Sequence, residues 1–286
     1  MLMPAQDCST PALVSLIPES QVVKLQWIAI LLLVVAVAIL AVALLRERGM
    51  RKLRTFTGNW PVRPVLPEHI DPAFRPNQYG PGPDAEISFI GRGPYVVDGG
   101  TSDAEAWILA VLAKRAHYLF EFGTCTGKTA YLWARNAPPT ARIVTLTLSP
   151  GGHEEHAADS ADDPRDVAYA VRESSHSAFL YTGTDVAYKV EQLYGDSKLL
   201  DVSRWAGRCD LVFVDGSHAY SYVMSDSAKA LELVRPGGLV LWHDYAGPRH
   251  STGVYRAVNE LATRLPLVRI AGTALAAYRK PAAASG

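Results

Sequence analysis

The chain has 286 residues, enough for one large domain or one domain with appendages. Apolar residues make up 49% of it, which is ordinary for a folded protein, and Lys plus Arg equals Asp plus Glu at 28 each, so no bulk charge draws it to nucleic acid. The three cysteines, Cys8, Cys125 and Cys209, are odd in number, scattered and without metal-site spacing, which excludes a disulfide framework and fits reduced thiols in a cytosolic domain.

Residues 1–24 form an N-terminal tail. Trp27 to Leu45 then runs nineteen residues without a charge. As a helix rising about 1.5 Å per residue it spans roughly 28 Å, the hydrocarbon thickness of a bilayer. A buried core helix is rarely apolar on every face for five turns. A cleavable signal peptide has a shorter apolar stretch, with its basic residues before it rather than after. The predicted transmembrane helix is 25–46. Arg46, Arg48, Arg51, Lys52 and Arg54 follow it, which places the C-terminal side in the cytoplasm: a single-pass protein, N-out and C-in.

Residues 47–100 read as a basic, then proline-rich, juxtamembrane connector. Seven prolines fall between 59 and 84, which disfavours helix and central strand. Fully extended at about 3.1 Å per residue this stretch reaches roughly 80 Å. It could equally lie along the following domain, since Phe74, Tyr79 and Ile87 to Ile90 offer apolar anchors.

From 101 to 286 helices and strands alternate. Ser102-Asp103-Ala104-Glu105 is a capping box that opens a helix through Lys114. Strands are predicted at Tyr118–Phe122, Arg142–Leu148, Val190–Tyr194, Asp210–Val214 and Leu239–Trp242. Helices fall at 127–136, 220–234 and 252–264, the second stopped by Pro236-Gly237-Gly238. Residues 151–166 are a polar, acidic loop. Its His153-Glu154-Glu155-His156 lacks the spacing of a helical zinc motif and reads as a solvated face or a mobile lid. Two short strands, Leu267–Ile270 and Ala274–Tyr278, close the chain as a hairpin. Such alternation implies a largely parallel sheet covered on both faces, with ligands bound at the carboxyl ends of its strands.

The first strand ends Glu121-Phe122-Gly123-Thr124-Cys125-Thr126-Gly127-Lys128-Thr129. A nucleotide hydrolase needs four residues between Gly and Gly-Lys-Thr; here there are three, and Glu121 would repel a triphosphate. The pattern Glu121-x-Gly123-x-Cys125-x-Gly127 instead resembles the first motif of class I methyltransferases, with Cys125 where a third glycine is common. S-adenosylmethionine (SAM) carries an ammonium and a sulfonium, which a carboxylate attracts. Val214-Asp215-Gly216-Ser217-His218, with Arg235-Pro236-Gly237-Gly238 and His243-Asp244-Tyr245, resembles the subgroup containing the macrolide-sugar O-methyltransferases.

The resemblance covers about residues 100–280. It implies a Rossmann-like, doubly wound α/β sheet, mostly parallel with a C-terminal antiparallel hairpin, behind one transmembrane helix. It implies SAM as cofactor, bound by Glu121, Gly123, Thr124, Cys125, Gly127, Thr147, Asp196 and Ser197. Thr147 stands where the family has an acidic residue for the ribose. Asp196 is read either as the adenine partner or as the cap of a following turn. His218 and Asp215 are the candidate catalytic residues, and Asp215, His243 and Asp244 the candidate ligands of Mg2+ or another divalent cation. The two histidines could instead be structural. The expected activity is O-methylation of a hydroxyl on a sugar, glycolipid or other small molecule, the membrane helix favouring a lipid-linked acceptor. The alternatives are a degenerate SAM-binding scaffold at the membrane and, more distantly, a nucleotide hydrolase. Neither acceptor nor oligomeric state is readable.

Overall fold

The structure, a computed structural model, describes residues 19–54, 60–77, 80–81, 99–151 and 156–282. The chain divides into two units, Met1–Thr55 and Phe56–Gly286. The first contains helix α1 (Glu19–Arg54), longer at both ends than the apolar stretch. Within it Ser20–Leu45, mean hydropathy 3.5, is long and apolar enough to cross a membrane, and its side chains are exposed along that length. A signal sequence meets the same two criteria of length and composition.

The second unit begins with β1 (Arg63–Val65), followed by the two-residue strands β2 (Pro76–Asn77) and β3 (Gly80–Pro81). Helix α2 (Asp103–Ala113) leads into β4 (Tyr118–Phe122), α3 (Lys128–Asn136) and β5 (Arg142–Thr147). Then come α4 (Pro164–Glu173), β6 (Val190–Tyr194), β7 (Cys209–Val214), α5 (Tyr220–Leu233) and β8 (Val234–Trp242). Helix α6 (Thr252–Ala262), β9 (Val268–Ile270) and β10 (Ala276–Arg279) complete it. The sheet order is β1-β9-β10-β8-β7-β4-β5-β6. Strands β8, β7, β4, β5 and β6 run parallel, and β10 lies antiparallel between β8 and β9. The chain leaves β4 towards β6, then crosses back to β7, so the switch point lies between β4 and β7.

One core packs α2 and α3 on a face of this sheet around Ile108, Leu109 and Trp133. The other packs α5 and α6 on the opposite face around Val223, Val254, Val258 and Trp242. Each of these buried side chains contributes about 1.5–3 kcal/mol. At α2 the capping box is complete: Glu105 N donates to Ser102 Oγ (3.3 Å) and Ser102 N to Glu105 Oε2 (2.9 Å).

Two elements differ from expectation. Strand β8 starts at Val234, so Pro236-Gly237-Gly238 lies inside the strand rather than ending the helix. Its irregular start is absorbed by a register shift against β7 between Cys209 and Leu211. The proline-rich stretch supplies β1, which pairs in parallel with β9 at the outer edge of the sheet, where Pro64 interrupts no inner ladder. Phe74 is buried, whereas Tyr79 and Ile87 to Ile90 lie outside the described residues.

Candidate active site

The site forms where the turn after β4 meets the ends of its neighbours. Gly123 N and Thr124 N both donate to Leu146 O of β5, at 2.9 and 3.2 Å. On the other side Asp215 N donates to Phe122 O and His243 N to Val214 O, at 2.9 and 3.1 Å. These bonds prolong the sheet past its strands and set Asp215 beside His243. Gly123 has φ +99°, and a Cβ there would lie 2.0 Å from Asp215 O, so only glycine permits this crossing. Cys125 also adopts positive φ (45°), a conformation that a side chain makes costly. Lys128, which makes the turn resemble a phosphate loop, donates from Nζ to Thr101 O (3.1 Å).

An open cleft lies over this turn. Of the expected cofactor residues, Gly123, Cys125, Thr147 and Ser197 face it. Thr124, Gly127, Asp196 and Glu121 stand behind its wall. Thr124 Oγ1 bonds Thr145 Oγ1 (2.8 Å), and a Cβ on Gly127 would strike the Tyr181 ring at 2.8 Å. Asp196 caps the next turn by accepting from Lys198 N (2.8 Å), and also accepts from Tyr222 Oη (2.8 Å). Glu121 is 1% exposed and accepts from Thr145 Oγ1 at 2.6 Å. Burial pushes its pKa up to about 8, with Asp215 adding to the rise, so at neutral pH it is largely uncharged. Glu121 thus lies beneath the turn and supports it through Thr145.

Beyond the cleft four charged side chains meet. His243 Nδ1 lies 2.9 Å from Asp215 Oδ1 and 3.2 Å from Asp244 Oδ2. His218 Nε2 lies 2.8 Å from Asp244 Oδ2, with its ring stacked on Tyr169 at 4.8 Å. Burial alone would lower both imidazole pKa values, but the carboxylates win. Asp244 raises His218 to about 9, and Asp215 with Asp244 holds His243 well above its ordinary value. Against its own burial, Asp244 is held well below the carboxylate range by His243 and His218. His218 thus carries its proton at neutral pH, and only its deprotonated form serves as a base.

Asp215, His243 and Asp244 each offer one ligand atom, all within 4.8 Å of one another, so the expected metal residues converge. The mixed oxygen and nitrogen set suits manganese, iron or zinc better than magnesium. The three side chains also satisfy one another as a hydrogen-bonded ion cluster. Glu105 closes this cluster from behind: 4% exposed, it faces His243 Nε2 at 3.6 Å and accepts from Ala274 N at 2.6 Å. Although burial opposes its charge, His243 and the backbone amides hold Glu105 near pKa 2. At that distance Glu105 acts on the imidazole through its charge rather than through a hydrogen bond.

Sequence reasoning found Glu105 as a helix cap but missed this second contact, which spans 138 positions of the chain. It also missed Glu173 of α4 and Asp226 of α5, which line the cleft and are pushed by burial to about 7. Their signal was only a carboxylate on the inner face of a helix. The described end of the acidic loop packs on the domain. His156 stacks on Tyr222 at 4.3 Å and faces the cleft, and Asp162 accepts from Ser221 N (2.9 Å) and Ser221 Oγ (2.6 Å). His153, Glu154 and Glu155 lie outside the described residues.

The model of a family described as a methyltransferase domain matches residues 120–245. No curated protein matches the chain. Solved structures similar to it include the O-methyltransferase TomG of Streptomyces achromogenes, involved in tomaymycin synthesis and bound to SAM. The two are 24% identical, with 65% of this chain and 83% of that one covered and a TM-score of 0.44. An O-methyltransferase from Bacillus cereus in complex with SAH is 20% identical, with 64% and 84% covered and a TM-score of 0.43. The SAH-bound Podospora anserina methyltransferase PaMTH1 is 19% identical, with 66% and 82% covered and a TM-score of 0.45.

Proposed function

We propose that this protein is a SAM-dependent O-methyltransferase acting on a hydroxyl of a sugar, glycolipid or related small molecule. It is anchored in a membrane through residues 25–46, with its catalytic domain in the cytoplasm. The observation that carries this reading is the cleft at the switch point between β4 and β7, with the glycine turn on its floor and an ionised cluster at its rim. The methyltransferase-domain match over residues 120–245 supports it.

When bound, SAM supplies a methyl group on a positively charged sulfur that leaves as a neutral thioether. The chain does the rest. The bare Cα of Gly123 lets a ligand approach the floor of the cleft, and the hydroxyls of Thr147 and Ser197 offer hydrogen bonds from the far wall. Asp215 lines the same cleft, with its negative charge near the reacting end. As the acceptor oxygen bonds to the methyl carbon, its proton passes to neutral His218. A divalent cation held by Asp215, His243 and Asp244 would supply Lewis acidity towards that oxygen.

Calorimetric titration of SAM into the full chain in detergent tests this directly. Saturable heat is expected, together with methyl transfer to a hydroxyl-bearing membrane extract. A folded protein that takes up no SAM would leave the scaffold reading in its place.

A further inference from the structure

A second cavity, of about 570 Å3, opens beyond the ion cluster, between the start of α4 and the segment that leads into α6. Arg165 and Tyr169 stand on one wall, Arg249, His250 and Thr252 on the other, and His218 forms the edge shared with the cluster. The lining is therefore rich in donors and cations. Its one carboxylate, Asp166, is buried and turned into the protein, where it accepts from Gly253 N (3.2 Å) at the start of α6. Arg165 is clasped by Asp163, Nε to Oδ1 at 3.2 Å and Nη2 to Oδ2 at 2.7 Å, yet its side chain remains 86% exposed. Arg249 is exposed and has no ion pair among the described residues. His218 and His250 both lean on Asp244, at 2.8 and 3.3 Å, which fixes their rings at the rim.

We infer that this cavity receives a phosphoryl group carried by the acceptor, a few bonds from the hydroxyl that is methylated. The inference rests on the methyltransferase reading and narrows its substrate class. Guanidinium groups on facing walls suit a tetrahedral oxyanion, which accepts hydrogen bonds from several directions at once. Thr252 adds a hydroxyl, and the cavity is larger than a lone carboxylate needs. An uncharged sugar would leave Arg249 without an anionic partner and Arg165 with Asp163 alone. Because His218 lines this cavity and contacts the cluster, a phosphoryl group seated between the arginines directs the rest of the acceptor towards Asp215. The same chemistry comes from a soluble sugar phosphate or from a phospholipid-like headgroup.

The test uses the full chain in nanodiscs of phosphatidylcholine, saturated with S-adenosylhomocysteine and titrated with inorganic phosphate. Saturable phosphate binding is expected, weakened at least about fivefold in Arg249→Gln and in Arg165→Gln, the loss of one charge-assisted hydrogen bond. S-adenosylhomocysteine affinity should stay within twofold in both variants, which shows that the fold is intact. Glucose 6-phosphate added to the solution, or phosphatidic acid added to the disc, should displace phosphate, and whichever does so identifies the source. Binding of S-adenosylhomocysteine without phosphate binding, or phosphate binding indifferent to both substitutions, overturns the inference and leaves the methyltransferase reading standing. Failure of S-adenosylhomocysteine itself to bind ends both.

Discussion

Two buried carboxylates on nearby strand ends have opposite fates. Glu121, at the end of β4, sits among apolar neighbours and threonine hydroxyls, and its pKa rises to about 8. Asp244, just past β8, is also shielded from water but is approached by His218, His243 and His250 and stays ionised far into acid. Burial is common to both; the company differs. A carboxyl without a cation takes up a proton, and one among imidazoles fixes protons on them instead. The molecule thus places a protonated support under the glycine turn and concentrates its charge at the rim of the cleft.

The largest break in this contrast comes from Asp244→Asn. Asparagine tolerates the positive φ of 56° at this position, so the backbone is kept while the charge is removed. Turnover should fall at least about a hundredfold. Stability should drop by about 3 kcal/mol in urea at pH 6, because His218 loses its carboxylate and His243 keeps only Asp215. The sign with pH is fixed. The raised pKa of His218 adds stability below its unfolded value near 6.5 and loses it as pH passes about 9. The penalty of the substitution should therefore shrink in urea melts at pH 9.5, and a penalty independent of pH would sink the ion-pair account.

Glu121→Gln gives a smaller effect of opposite sign. With its folded pKa raised from 4.5 to about 8, the glutamate costs stability as pH climbs between those values. The variant should match the wild type at pH 4 and exceed it by at least about 1 kcal/mol at pH 9, with SAM affinity nearly unchanged. Lost SAM binding would restore a direct role for the carboxylate.

Glu105→Gln should be milder still. Glutamine also closes a capping box but gives up the charge facing His243, so stability should fall by about 1 kcal/mol at neutral pH. The loss should fall on kcat rather than on the KM for SAM, because the support behind His243 weakens while the cleft is untouched. A parallel rise in KM would place Glu105 among the binding groups.

Local signals were legible in the sequence, and contacts made only by the completed fold were not. The strands at Tyr118–Phe122 and Val190–Tyr194 fall where the apolar runs predict them, and Ser102 caps its helix as its spacing demands. The expected triad Asp215, His243 and Asp244 meets because adjacent parallel strands must align their ends. Strand β8 was cut short because proline and glycine normally end an element, and only pairing with β7 and β10 overrides them. The depth of Glu121 was not legible, because its motif does not say how far inside the last residues of a strand lie. Glu173 and Asp226 carried no motif, since each matters through neighbours brought in from other elements.

Glu105 has a consequence that extends to motion. One carboxylate receives the amides of Ser102 and Ala274, 172 positions apart, and also faces His243. Whatever changes the charge or tilt of that imidazole changes the hold on both amides, and by reciprocity loosening either end of the chain there alters the imidazole. Hydrogen exchange at these two positions, outside the cleft, thus works as a built-in gauge of what occupies the reaction centre.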